Sequence, residues 1–170
     1  EAFHNTTIGE LLSVQAGRFS NQTFLRLNGE RWSYAEVELQ ACSLAAGLRG
    51  LGLQPGDRLA VTLPNIPAYV ITIFAAAKAG LILVPVNVRR DRADALVRLA
   101  KTKPKALMTF SDPKQFNGMN HLEMALDMRA SLPDGAAARL APGQPDGTVL
   151  ARLERQAVFG GGEPGVALEQ

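Results

Sequence analysis

Apolar residues recur near helical spacing at Ile8, Leu11, Leu12, Ala16 and Phe19, behind a Thr7-Ile8-Gly9-Glu10 capping-box pattern. An amphipathic helix is expected there. Phe24-Leu25-Arg26-Leu27 and Arg31-Trp32 then flank Asn28-Gly29, a pair that tolerates the positive φ of a type I′ turn, so a short antiparallel hairpin is expected. Ser33-Tyr34-Ala35-Glu36 is a second capping box, and Val37, Leu39, Ala41, Leu44, Ala45, Leu48 and Leu51 carry a helix on until Gly50 and Gly52 end it.

The period then changes. Arg58 to Leu63 reads as a strand entered from the tight Pro55-Gly56-Asp57 connection. Pro64-Asn65-Ile66-Pro67 offers a cap and a first-turn proline for a helix running to Lys78, with Gly80 as its stop. Leu81 to Val86 reads as a strand, Asp91 to Lys103 as a charged amphipathic helix, and Lys105 to Phe110 as a third strand. Strand and helix in alternation imply parallel pairing with right-handed crossovers. The fold class expected is α/β: a three-layer, mostly parallel, doubly wound sheet with an N-terminal β-hairpin. Residues 1–132 are assigned to this subdomain. Residues 133–170 form an Ala/Gly/Pro-rich segment in which Gln144 to Glu154 is the one stretch expected to fold locally.

A chain of 170 residues suits a single domain with a real core. Eighteen Lys and Arg against sixteen Asp and Glu are scattered rather than gathered on an arm or face, which argues against a nucleic-acid partner. The hydrophobic stretch Ile66 to Val86 is interrupted by Lys78, Gly80 and Pro85, so no membrane span is expected. Glu-Ala-Phe-His at the start has neither a positive nor an apolar leader region, and the missing initiator Met suggests an engineered chain. The single cysteine, Cys42, has no disulfide or metal partner in sequence; it is expected to be a small buried side chain in a cytoplasmic protein, with no catalytic role.

Candidate chemistry is sparse. The glycine run 160–165 lacks the Lys, Ser or Thr of a phosphate loop and reads as linker. His4 and His121 are far apart, with no metal-ligand spacing, and are expected to be surface or capping residues. No Ser/His/Asp or Cys/His arrangement supports nucleophilic catalysis, so no catalytic and no metal residue is assigned. Helix 66–78 is apolar nearly all round, where a rim helix should show one polar face. Two readings stand: a central helix packed on both sides within the chain, or one whose outer side expects a sheet that the chain lacks.

Trp32-Ser33-Tyr34-Ala35-Glu36-Val37 resembles the Leu-Thr-Tyr-x-Glu-Leu segment of adenylate-forming ligases, the superfamily of AMP-forming acyl-CoA synthetases, peptide-synthetase adenylation domains and luciferases. Gly52 to Ala60 resembles their Gly-Val-x-x-Gly-Asp-x-Val-Ala turn and strand, Leu63-Pro64-Asn65 their Leu-Pro-Asn, and Ala77 to Asn87 their Lys-x-Gly-Ala-x-x-x-Pro-Leu-Asn. The ordered set covers about residues 7 to 110. The resemblance implies an N-terminal fragment of an enzyme that activates a carboxylic acid with ATP and Mg²⁺ to an acyl-adenylate, then passes the acyl group to the thiol of CoA, as in fatty acid metabolism, or of a carrier protein. The Ser/Thr/Gly-rich phosphate loop and the C-terminal lysine of such enzymes are not in this sequence, so the truncated chain is expected to be inactive and to hold no cofactor itself.

Asn87-Val88-Arg89-Arg90 keeps the Asn and Arg of the family's Asn-Pro-Arg-Leu turn. For Arg89 this implies a place near a CoA phosphate, whose oxygens suit a guanidinium fork; a solvated surface arginine is the alternative. In the family, helix 66–78 lies between two sheets, which implies an exposed apolar face here and self-association as a homodimer. The rival to the ligase reading is a noncatalytic interaction module built on the same fold.

Overall fold

The structure, a computed structural model, describes residues 6–87, 92–110, 137–140 and 148–154. In chain order these form α1 (Ile8–Phe19), β1 (Thr23–Leu27), β2 (Glu30–Ser33), α2 (Tyr34–Gly50), β3 (Arg58–Val61), α3 (Pro67–Ala79), β4 (Ile82–Pro85), α4 (Arg92–Thr102), β5 (Ala106–Phe110), β6 (Ala137–Leu140) and β7 (Thr148–Glu154).

Local chemistry sets most boundaries. Both capping boxes form: Thr7 Oγ1 and Ser33 Oγ accept from the Glu10 and Glu36 amides, and each glutamate accepts from the threonine or serine amide in return. Asn28 (φ 50°) and Gly29 (φ 88°) make the hairpin turn, and β1 pairs antiparallel with β2 as a separate two-stranded sheet. Gly80 ends α3 in the left-handed region at φ 73°. The expected Asn65 cap does not form. Ile66 is the N-cap of α3, without a side-chain bond, and Pro67 takes the first turn, where its missing N–H costs nothing.

The main sheet has the order β4-β3-β5-β7-β6. β4, β3 and β5 are parallel, with Leu59 beside Leu83 on one flank and beside Ala106 on the other. From the segment 133–170, β7 joins β5 and β6 joins β7, both antiparallel, so the sheet runs past the parallel unit that sequence alternation supports. The chain steps from β3 outward to β4, then back across β3 to β5. With right-handed crossovers, this reversal puts α3 and α4 on opposite faces, which is the doubly wound, three-layer arrangement expected.

Among the described residues β4 is an outer strand. Ile82 and Val86 donate to the carbonyls of Asp57 and Val61 at 2.8 and 2.9 Å. Leu83 and Pro85 alternate with them and turn their backbone groups away from β3.

Leu59, Val61, Ala106 and Met108 share one face of the sheet and form the core with Ala45 and Leu48 of α2, Leu53, and Ala75, Ala76 and Ala79 of α3. Leu48 and Leu59 are fully buried, and truncating such a leucine to alanine costs about 2–5 kcal/mol. The outer side of α3 is covered as well. Ile71 packs with Leu12, Val37 and Ala41, and Phe24 of the hairpin lies 6.0 Å from the Phe74 ring and 4.6 Å from Tyr34.

This corrects the expectation of an exposed apolar face on helix 66–78. No residue of α3 is exposed, because α1, α2 and β1 cover the side opposite the sheet. Only a strip of Val70, Ile73 and Ala77, each half-buried, remains for self-association. Among the described residues no helix is long and apolar enough to cross a membrane.

Candidate functional site

In a doubly wound sheet a ligand crevice opens at the carboxyl ends of the strands where the winding direction reverses. Here that point lies between β3 and β5. The residues at its floor are Thr62 and Thr109, 2% and 0% exposed. The Thr62 amide donates to the Met108 carbonyl at 2.9 Å, and the Thr62 hydroxyl donates to the Thr109 hydroxyl at 2.9 Å. Their hydrogen bonds fasten the two strands together.

The loops leaving this end carry exposed Asn65 after β3 and exposed Asn87 after β4. α3 starts here too, with its first amides free of a side-chain cap. Oriented amides and carboxamides bind and orient polar groups; they do not transfer protons or attack carbonyls. Arg89, assigned from the resemblance to a CoA phosphate, follows Asn87 in sequence and lies outside the described residues, as do Arg90, His4, His121 and the glycine run 160–165.

The resembling segments serve other ends of the fold. Gly56 (φ 85°) donates to the Gly80 carbonyl at 2.8 Å. Asp57 accepts from the Gln54 amide at 2.8 Å and from Lys105 Nζ at 2.7 Å, while Arg58 Nη2 donates to the Lys103 carbonyl at 3.2 Å. These contacts fix the amino ends of β3 and β5, opposite the crevice. The Asp57 carboxyl is pushed up by burial, but the bonds from Lys105 and the Gln54 amide and the charges of Lys105 and Arg58 outweigh this and hold it below its ordinary value.

Lys78, the one charged residue of α3, is the center of a second polar cluster. Its Nζ donates to the Gly9 carbonyl at 3.0 Å, to Ser13 Oγ at 2.8 Å and to Glu38 Oε1 at 2.8 Å, joining α3 to α1 and α2. Ser13 Oγ and Cys42 Sγ also donate to Glu38 Oε1, at 2.8 and 3.4 Å. Burial pushes the Glu38 carboxyl up; the bonds from Lys78, Ser13 and Cys42 and the Lys78 charge bring it below its ordinary value. Cys42 itself is exposed, which corrects the expectation of a buried cysteine: on α2 it sits beside Ala41 but on the outward side, within reach of Glu38. Desolvation, the bond to Glu38 and the Glu38 charge push its thiol up, away from thiolate chemistry.

The sequence signal for this cluster was the lone lysine in an apolar helix. Its partners lie 69, 65 and 40 positions away and have no local signature. Among the described residues no group of three or more His, Cys, Asp and Glu is placed to hold a metal ion. The described donor set also offers no lysine or hydroxyl free to cradle a triphosphate at the crevice, so these residues do not by themselves fit ATP and Mg²⁺.

Residues 12–154 match the family model described as AMP-binding enzyme. The chain is 44% identical over 77 residues to a feruloyl-CoA synthase of Amycolatopsis sp, a match that covers 45% of this chain and 16% of the relative. It is 34% identical over 122 residues to a mitochondrial medium-chain acyl-CoA ligase of Mus musculus, covering 71% of this chain and 19% of that protein. The chain thus spans about a fifth or less of the length of these curated relatives. Among solved structures, a putative long-chain-fatty-acid CoA ligase from Rhodopseudomonas palustris superposes with a TM-score of 0.67 at 24% identity, over 85% of this chain and 35% of the other, a likeness of fold.

Proposed function

The chain belongs to the AMP-binding enzyme family, and from that premise we propose that it is the N-terminal subdomain of a longer adenylate-forming ligase. The parent enzyme activates a carboxylic acid with ATP and Mg²⁺ to an acyl-adenylate and transfers the acyl group to CoA. The observation that carries this reading is the family match across residues 12–154, joined to a doubly wound sheet whose crevice end lacks any acid, base or nucleophile of its own among the described residues. Such a unit supplies a platform, and the reacting groups come from elsewhere in the parent.

In this reading the cofactors ATP, Mg²⁺ and CoA belong to the complete ligase, with Arg89 offered to a CoA phosphate, and the 170-residue chain is inactive alone. The names of the relatives differ in the acid they print, so the substrate class is a carboxylic acid. Location in the cytoplasm is proposed from the lone cysteine. Self-association rests on the half-buried Val70, Ile73 and Ala77 strip alone.

Acid-dependent release of pyrophosphate from ATP tests the proposal. None is expected from the purified 170-residue chain, and turnover is expected from the product of the reading frame extended past residue 170. Turnover by the short chain overturns the inactivity. A stop codon directly after residue 170 supports the second reading, a noncatalytic interaction module, which the internal coverage of α3 favours because the unit closes its own core.

A further inference from the structure

α1 is held to the molecule unlike its neighbours. Its buried residues are Gly9, Leu12 and Ala16, so Leu12 is its one large buried side chain, while Ile8 and Val14 are exposed. α2 buries Val37, Ala41, Ala45 and Leu48, and α3 is buried or half-buried throughout. α2 and α3 are also joined by Arg49, whose Nη2 donates to the Lys78 carbonyl. Beyond Leu12 the larger apolar contacts of α1 are half-buried, with Phe19 5.9 Å from the Tyr34 ring at its far end, so the first turns of α1 lean on the polar cluster at Lys78, where two of the three ammonium donors go to α1, at the Gly9 carbonyl and Ser13 Oγ.

The third donor goes to Glu38 Oε1, which also accepts from Ser13 and Cys42. Glu38 Oε2 is buried and has no hydrogen-bond partner among the described residues. That oxygen is where a proton is accommodated without breaking an existing bond. Once it is protonated, Lys78, with its side chain 13% exposed, is left as a cation with no counter-charge among the described residues. Removing one partner from such a pair is costly, and the cost is relieved by letting the ammonium reach water. α1 is the element in the way.

We propose that Lys78, Glu38 and Ser13 form a pH-sensitive latch that holds α1 on the helical layer, and that opening it frees α1 while α2, α3 and the sheet stay folded. The groups facing Glu38 are Lys78 from α3, the Ser13 hydroxyl from α1, and Cys42 from its own helix. The Glu38 carboxyl lies below its ordinary value, so the latch is intact above the unfolded value of about 4.3 and opens as pH falls through the folded value. Opening uncovers Ile71 and Val37, which Leu12 covers in the closed state.

Native-state hydrogen exchange on the 170-residue chain, read amide by amide from pH 3 to 7 and corrected for intrinsic rates, tests the latch. On acidification the amides of α1 should lose at least tenfold in protection over a range in which α2 and α3 keep theirs. Glu38→Gln should flatten the α1 profile and leave it poorly protected at every pH. Glu10, in the capping box of α1, titrates in the same direction, so Glu10→Gln is the control and should retain the step. Loss of protection in all three helices together, or a step that survives Glu38→Gln and vanishes in Glu10→Gln, overturns the proposal. Should Glu38→Gln fail to fold, the wild-type profile still decides whether α1 opens by itself.

Discussion

Gly9 lies so close to Lys78 that a β-carbon on it would stand 3.0 Å from Lys78 Cγ, 3.1 Å from its backbone nitrogen and 3.2 Å from its Cα. Two of these atoms are backbone and have no freedom to step aside. Gly9→Ala gains up to about 1 kcal/mol in helix propensity, but the close approach of α1 to α3 forces a shift whose cost is about 1–3 kcal/mol. The net expectation is a lower urea midpoint with an unchanged slope. A midpoint equal to or above wild type would show that α1 accommodates the methyl group.

Ser33→Ala removes the acceptor for the Glu36 amide and the partner of its carboxylate, both in the capping box at the start of α2. The loss should be about 1 kcal/mol. The pair Ser33→Ala with Glu36→Ala should cost less than the sum of the single changes, since the two bonds are reciprocal. Strict additivity in chemical denaturation would count against a working box.

Asp57 gives stability a pH dependence. Its folded-state value is below the ordinary one, so its contribution is complete above the unfolded value of about 3.9 and is lost as pH falls through the folded value. In Asp57→Asn the bond from Lys105 becomes an ordinary dipole contact, and the fall in melting temperature below about pH 4 should be shallower than in wild type. At neutral pH the variant should be less stable by about 1–2 kcal/mol. Parallel wild-type and variant curves across the acid range would remove Asp57 as the source.

Cys42 is exposed and unpaired, so a thiol reagent added to the native chain should label one equivalent without denaturant. Its thiol is pushed up by desolvation and by Glu38, which makes labelling at pH 7 to 8 slower than for a free small thiol. Glu38→Gln should speed it. Labelling that requires denaturant would place the side chain in the core instead.

The elements legible in the sequence are those with a local cause. Thr7 with Glu10, Ser33 with Glu36, Asn28-Gly29 and Gly80 each fix a boundary through contacts within a few residues, and the alternation from Arg58 to Phe110 fixes the winding of the sheet. What the sequence concealed depends on distant partners. β6 is Ala-Ala-Arg-Leu, with no β-branched or aromatic residue, and it is a strand because β7 pairs with it. The apolar circumference of α3 fits both a buried and an interfacial helix; Phe24 and Leu12, from elements far earlier in the chain, decide for burial. The Lys78 cluster was legible only as an oddity, and the pairing of Thr62 with Thr109 had no signal, since two threonines 47 positions apart carry no pattern.

The outward flank of β4 bears on how copies of this chain behave at high concentration. Growth of a fibril needs a row of donors and acceptors for the incoming strand to read. On β4 that row begins with Leu83 and stops at Pro85, whose nitrogen has no hydrogen to give. A ring closed on one backbone nitrogen thus deprives a stray segment of the template it would need to stack there.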